Sequence, residues 1–227
     1  MAENADPDAV VAVLTGDLVG STRIERARVE RTMELLGDEN RRSGAPWHWP
    51  IQDTRFTRFR GDGWQMLLTS PHLALRHALF LIAYLRAHKD ALPTRIAIGI
   101  GRIESAGSDG LGDATGAAFV ASGRGLDSML AHEKLALTPS PTDPPAVTSA
   151  EQAAVALLDE RLSRWTPEQA EATALYLNPR EPALKYLAAR LGITPQAAGY
   201  RVRGAGAPAI RKALSHLEPE WAQRWRS

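Results

Sequence analysis

Two acidic residues stand where short apolar runs give way to turns. Asp17 lies in TGDLVGST (residues 15–22), directly after a Val-rich run, and Asp62 lies in RGDG (60–63) between two strand-like runs. Hard divalent cations take oxygen ligands, and one or two carboxylates with phosphate oxygens complete such a site. Gly20, Ser21 and Thr22 would open a helix, whose first amides and dipole favour phosphate. The chemistry this suits is binding of a nucleoside triphosphate with Mg²⁺ or Mn²⁺. Taken singly, each motif also reads as an ordinary hairpin turn or an ordinary helix cap.

A second chemistry is written in EPALKYLAARLGITPQAAGYRVRGAG (181–206). Leu184, Leu187, Ala188 and Leu191 fall on one helical face, and Gly192 is free to take the positive φ of a turn. Ile193 plugs the core, Thr194 caps and Pro195 opens the next helix. Ala198 and Val202 then point inward. Thr194, Gln196, Tyr200, Arg201 and Arg203, with Arg211 and Lys212 on the following helix, form the set expected to meet DNA. Gln suits adenine, Arg suits guanine, and either holds phosphate. A helical bundle that serves only dimerisation is the competing reading, and Gly199 would weaken a recognition helix.

Composition narrows the field. The chain has 227 residues, no cysteine, 44% hydrophobic and 23% charged residues, which is ordinary globular composition and excludes disulfide, thiolate and Cys-zinc chemistry. Residues 151–227 hold 11 Lys and Arg against 8 Asp and Glu, leaving 16 against 18 upstream, so the basic excess lies beside the candidate DNA-binding segment. The six histidines show no HExxH spacing and pair with no serine nucleophile. The acidic start lacks the features of a signal peptide, and no apolar run is long enough to span a bilayer; a cytoplasmic protein is expected.

These residues need elements to position them. Up to residue 137 the pattern alternates as β-α-β-β-α-β-α-β, which predicts an α+β domain with a ferredoxin-like, palm-type antiparallel sheet and helices on one face. TPSPTDPPAV (138–147) reads as a Pro-rich linker. Residues 148–227 read as all helix, a second domain built around the helix-turn-helix.

The order of motifs resembles the class III nucleotidyl cyclases over about residues 9–133. VAVLTGDLVGSTRI (11–24) is similar to their first strand and loop, RFRGDGWQMLL (58–68) to their Gly-Asp-Gly hairpin, and RIAIGIGRIES with SDGLGDATGAAFVASGRGLD (95–127) to their next strand and helix. The small size and helical tail resemble the SatD-type bacterial proteins. The resemblance implies that Asp17 and Asp62 bind metal and that Leu18, Val19, Gly20, Ser21 and Thr22 bind the triphosphate. Arg58 takes the place of the base-selecting lysine, with Asp109 as its partner acid. The family's Asn and Arg, which position ribose and stabilise the transition state, fall on Gly116 and Val120; Arg124 is the nearest cation, one turn later. The expectation is a homodimeric, DNA-binding regulator whose cyclase-like domain senses a nucleotide. The alternative is an active nucleotidyl cyclase or related phosphotransfer enzyme whose tail serves dimerisation.

Overall fold

The computed structural model describes residues 9–21, 25–41, 54–59, 61–107, 110–140, 147–180 and 183–225. Strand β1 (Val10–Leu18) is the centre of the sheet. The hairpin β2 (Thr54–Phe59) and β3 (Gly63–Leu68) lies on one side, turning at Gly61 with φ +80°. On the other side lies β4 (Thr94–Ser105), paired with β1 from Val10↔Arg102 to Leu18↔Thr94. The order β2-β3-β1-β4, antiparallel at each step, is the one expected of a ferredoxin-like sheet.

Two expectations need correction. The sheet is mixed, not antiparallel throughout. Helix α3 (Ala117–Ser128), which follows the two-residue β5 (Thr115–Gly116), carries the chain back so that β6 (Leu135–Pro139) runs parallel to β4. Parallel neighbours need such a crossover. The helices also cover both faces. Val11 and Val13 pack with Ala118 and Phe119 beneath α3. Ala12 and Leu14 instead join the helices α1 (Arg26–Arg41) and α2 (Ala74–Ala87) on the opposite face. Burial on both faces is why β1 reads as an unbroken apolar run rather than an alternating one. Helix α3 lies so close that a Cβ on Gly99 would stand 2.3 Å from the Ala118 carbonyl oxygen. Between the same layers, Thr15 and Ser122 share a 2.8 Å hydroxyl hydrogen bond.

The remaining helices are α4 (Ser149–Ser163), α5 (Pro167–Tyr176), α6 (Leu184–Leu191), α7 (Pro195–Ala205) and α8 (Ala207–Arg224). Capping boxes at Thr148 and Thr166 start α4 and α5. These helices extend the core of the sheet: Trp165, Leu177, Ile210, Leu214 and Trp221 bury into the same apolar cluster as Leu75 and Leu79 of α2. A buried charge pair locks the joint. Arg76 of α2 donates from Nε and Nη2 to the two carboxylate oxygens of Glu218 at 2.6 and 2.7 Å, and from Nη1 to the Leu177 carbonyl at 3.0 Å. Their side chains are 5% and 13% exposed. On the far side, the Asp159 carboxylate of α4 accepts the Lys134 amide ahead of β6 at 2.8 Å. No helix among the described residues is long and apolar enough to cross a membrane.

Candidate functional site

Antiparallel pairing brings the two aspartates to one end of the sheet. Asp17 stands opposite Gly63, the neighbour of Asp62, and the Leu18 amide donates to the Asp62 carbonyl at 3.2 Å. Their carboxylates are then used separately. Asp17 accepts a two-pronged bond from Arg95, its cross-strand partner on β4, with Nε to Oδ1 at 2.9 Å and Nη2 to Oδ2 at 2.5 Å. The hydrogen-bonded carboxylate in turn raises the pKa of the Arg95 guanidinium. Asp62 accepts the Ser21 hydroxyl instead.

The segment expected to cradle phosphate is partly committed as well. The Leu18 amide serves Asp62, and the Val19 amide donates to the Pro93 carbonyl at 2.8 Å. Gly20 takes φ +79°, a turn conformation that suits glycine. Helix α1 begins at Arg26, after Glu25, so Ser21 does not cap it; the hydroxyl that would have done so is drawn to Asp62. Thr22 and Asp109 lie outside the described residues, as do residues 141–146 of the Pro-rich stretch.

Arg58 and Asp62 do meet. With Ser21, Arg26, Val29, Glu30 and Gly61 they line an open groove of about 360 Å³, whose lining does not include Asp17. Arg58 is held there by Glu30 at 2.6 and 3.0 Å and by the Gly61 carbonyl at 2.6 Å. The hydrogen bond from Arg58 keeps the Glu30 carboxyl below its usual pKa range. Arg124 sits elsewhere, in a groove of about 620 Å³ at the start of α3 with Glu104, Gly116, Phe119 and Val120. Gly116 offers no side chain, and Val120 is 44% exposed and apolar, so the two positions where the cyclases carry Asn and Arg supply no polar group here.

A divalent cation needs lone pairs that are free and convergent. Asp17 gives both oxygens to Arg95, Asp62 receives Ser21, and Glu30 is paired with Arg58. Among the described residues no group of three or more His, Asp or Glu side chains is placed to hold a metal ion. In this arrangement a divalent ion at Asp17 would have to displace Arg95.

The second site is built differently. Helices α5, α6 and α7 enclose a small core of Leu175, Leu187, Ala188 and Ala198, with Leu191 and Ile193 packed on it. Helix α6 closes at Gly192 in the left-handed region, φ +64°, and Thr194 caps α7 by accepting the Ala197 amide at 3.2 Å. Buried Ala198, Val202 and Ala205 put one face of α7 inward. Gln196, Tyr200 and Arg203 lie on the outward face, with Tyr200 72% exposed and the Arg203 guanidinium 5.1 Å from the Tyr200 ring centroid. Lys212 is exposed on α8.

Two arginines of the expected DNA-facing set behave otherwise. Arg201 is half-buried and bonded to Glu171 at 3.1 Å. Arg211 is corrected from an outward position: its guanidinium lies 3.4 Å from the Tyr176 ring centroid and donates to the Tyr176 carbonyl, where stacking on an aromatic face is favourable. Sequence reasoning missed Arg95, Arg161 and Trp165. Arg161 of α4 and Trp165, just past that helix, reach the C-terminal carbonyls of α7. Arg161 donates to Ala205 at 3.1 Å and Gly204 at 3.0 Å, and Trp165 donates to Ala205 at 2.8 Å. Only the register of β1 on β4 could have flagged Arg95, as a basic residue opposite Asp17.

No family model matches the chain, and no curated protein matches it. Among solved structures it is similar to one described as the crystal structure of the guanylyl cyclase Cya2, at 16% identity and a TM-score of 0.43, over 60% of this chain and 77% of that one.

Proposed function

We propose that the chain is a DNA-binding regulator that reads duplex DNA through α7, and that its α+β part is a nucleotide-responsive platform. One observation carries the first half. Gln196, Tyr200 and Arg203 recur at i, i+4 and i+7 on the exposed face of α7, directly behind the buried series Ala198, Val202 and Ala205. A helix whose apolar stripe is this completely satisfied leaves its polar stripe accessible to a partner outside the chain. The stripe mixes an amide, a phenol and a guanidinium, the groups that meet base edges and phosphates in a major groove. Both ends of α7 are fixed, by Thr194 at the start and by Arg161 and Trp165 at the finish. Such support gives a recognition surface its precision.

The platform half rests on the groove formed by Ser21, Arg58 and Asp62, where a base or ribose could meet a polar wall. The test is anisotropy of a labelled mixed-sequence duplex with the whole chain and with the double variant Gln196→Ala/Tyr200→Ala. The variant should bind more weakly while unfolding as the parent does; equal affinity for both would refute the reading.

A second reading, an active nucleotidyl cyclase with a dimerising tail, draws on the placement of Asp17 opposite Gly63 beside Asp62. It requires a cyclic product when ATP or GTP is incubated with the protein and Mg²⁺ or Mn²⁺. The regulator reading expects the nucleotide to be recovered unchanged on chromatography.

A further inference from the structure

Asp17 is secured from several directions. Its carbonyl accepts the Thr94 hydroxyl at 2.8 Å, and that hydroxyl accepts the indole N–H of the fully buried Trp64 at 3.0 Å. The next two residues of the chain, Leu18 and Val19, are bonded through their amides to the hairpin and to Pro93. The backbone is therefore fixed, and the carboxylate is presented to a single partner. That partner is Arg95, in register across the sheet, with planar fork geometry that matches both carboxylate oxygens. The two side chains are 23% and 28% exposed, enough for a solute to reach them. The third guanidinium nitrogen, Nη1, has no partner among the described residues.

We infer that Arg95 is a resident cation at the head of β1, occupying the place a divalent ion would need at Asp17, and that anionic ligands of this part of the chain are met by a guanidinium rather than a metal. A divalent ion approaching Asp17 must displace a permanently charged group. It would then share a small space with that group, and like charges at such range repel. It would gain little in return, because Asp62 is already engaged by Ser21. An arginine also retains its charge at any working pH, so the cation at this position does not depend on metal supply. The inference deepens the platform half of the reading above and rests on it for the identity of the ligand as a nucleotide. The metal measurement stands without that half.

The experiment is a Mn²⁺ titration of the whole chain, with free Mn²⁺ followed by electron paramagnetic resonance. Wild-type protein should leave the Mn²⁺ signal undiminished. Arg95→Ala, which frees both oxygens of Asp17 beside Asp62, should take up Mn²⁺, and Arg95→Ala/Asp17→Asn should lose that uptake. Near-UV circular dichroism from the buried Trp64 reports whether each variant keeps its packing, and Arg95→Gln serves as the milder replacement. Uptake by the wild type that Asp17→Asn abolishes would overturn the inference by itself, as would a folded Arg95 variant that gains no site. Calorimetry of ATP and GTP in EDTA and in Mg²⁺ should give equal affinities. If neither nucleotide binds in either buffer, the platform reading fails, and the Mn²⁺ result still decides the role of Arg95.

Discussion

The head of β1 and the outer face of α7 are both rich in polar side chains, yet they spend them in opposite ways. At β1 each charged or hydroxyl group has an intramolecular partner: Asp17 has Arg95, Asp62 has Ser21, and Arg58 has Glu30. On α7 the intramolecular bonds are made by the ends of the helix and by Arg201 to Glu171, whereas Gln196, Tyr200 and Arg203 face solvent. The contrast shows that residue type and spacing identify chemical potential, whereas the partners already present decide how much of it is available. A motif that satisfies itself is structure; one that leaves its donors outward is an offer.

The contrast would be broken most severely at the joint between the two regions. Removing Glu218 strands the guanidinium of Arg76 in a buried position, which should cost about 3–5 kcal/mol of stability. Urea unfolding of Glu218→Ala should show that loss as one transition, with the sheet and the tail failing together.

Acid tests the sheet side next. His77 on α2 is wholly buried against Met66, and desolvation pushes its pKa down from 6.5 to about 4. The unfolded chain therefore binds a proton that the folded chain refuses between those values. The stability from keeping His77 neutral is complete above about pH 6.5 and is lost as pH falls toward 4, by about 3 kcal/mol in total. A pH series of melting curves should show this fall, and His77→Leu should flatten it.

Smaller effects sharpen the α7 side. Thr194→Ala removes the cap and should cost about 1 kcal/mol, readable as a lower urea midpoint with an unchanged slope. Arg203→Ala should leave stability unaltered. On the DNA-binding proposal its effect falls on affinity, and the plot of log affinity against log salt should become shallower by about one unit if the side chain holds a phosphate. An unchanged salt slope would remove Arg203 from the interface.

Much of this architecture is readable in the sequence, and the parts that are not share a cause. The order of strands and helices follows from local periodicity, and the turn at Gly192 with its cap at Thr194 follows from residue type. Those signals lie within a few residues of the features they specify. The start of α1 is misread because Ser21 has two possible acceptors. The helix amides ahead are local, but the chosen partner, Asp62, lies 41 residues away. Arg95 finds Asp17 across 78 residues, and Arg76 finds Glu218 across 142. Arg211 looks like an outward base until Tyr176, 35 residues earlier, is seen beneath it. Pairings of that range depend on register and packing, which no window of sequence contains. The crossover that makes β6 parallel to β4 is hidden for the same reason.

The Arg76–Glu218 pair also bears on how such a chain can be recombined. A helical tail joined to its platform by a flexible tether could be cut free and grafted onto another protein with its surface intact. Here the graft would carry a carboxylate that is 13% exposed and matched to an arginine left behind, together with the apolar face that Trp165 and Leu177 present to α2. Helix α7 and the sheet thus behave as one part, and a working hybrid would have to take α2 along with the tail.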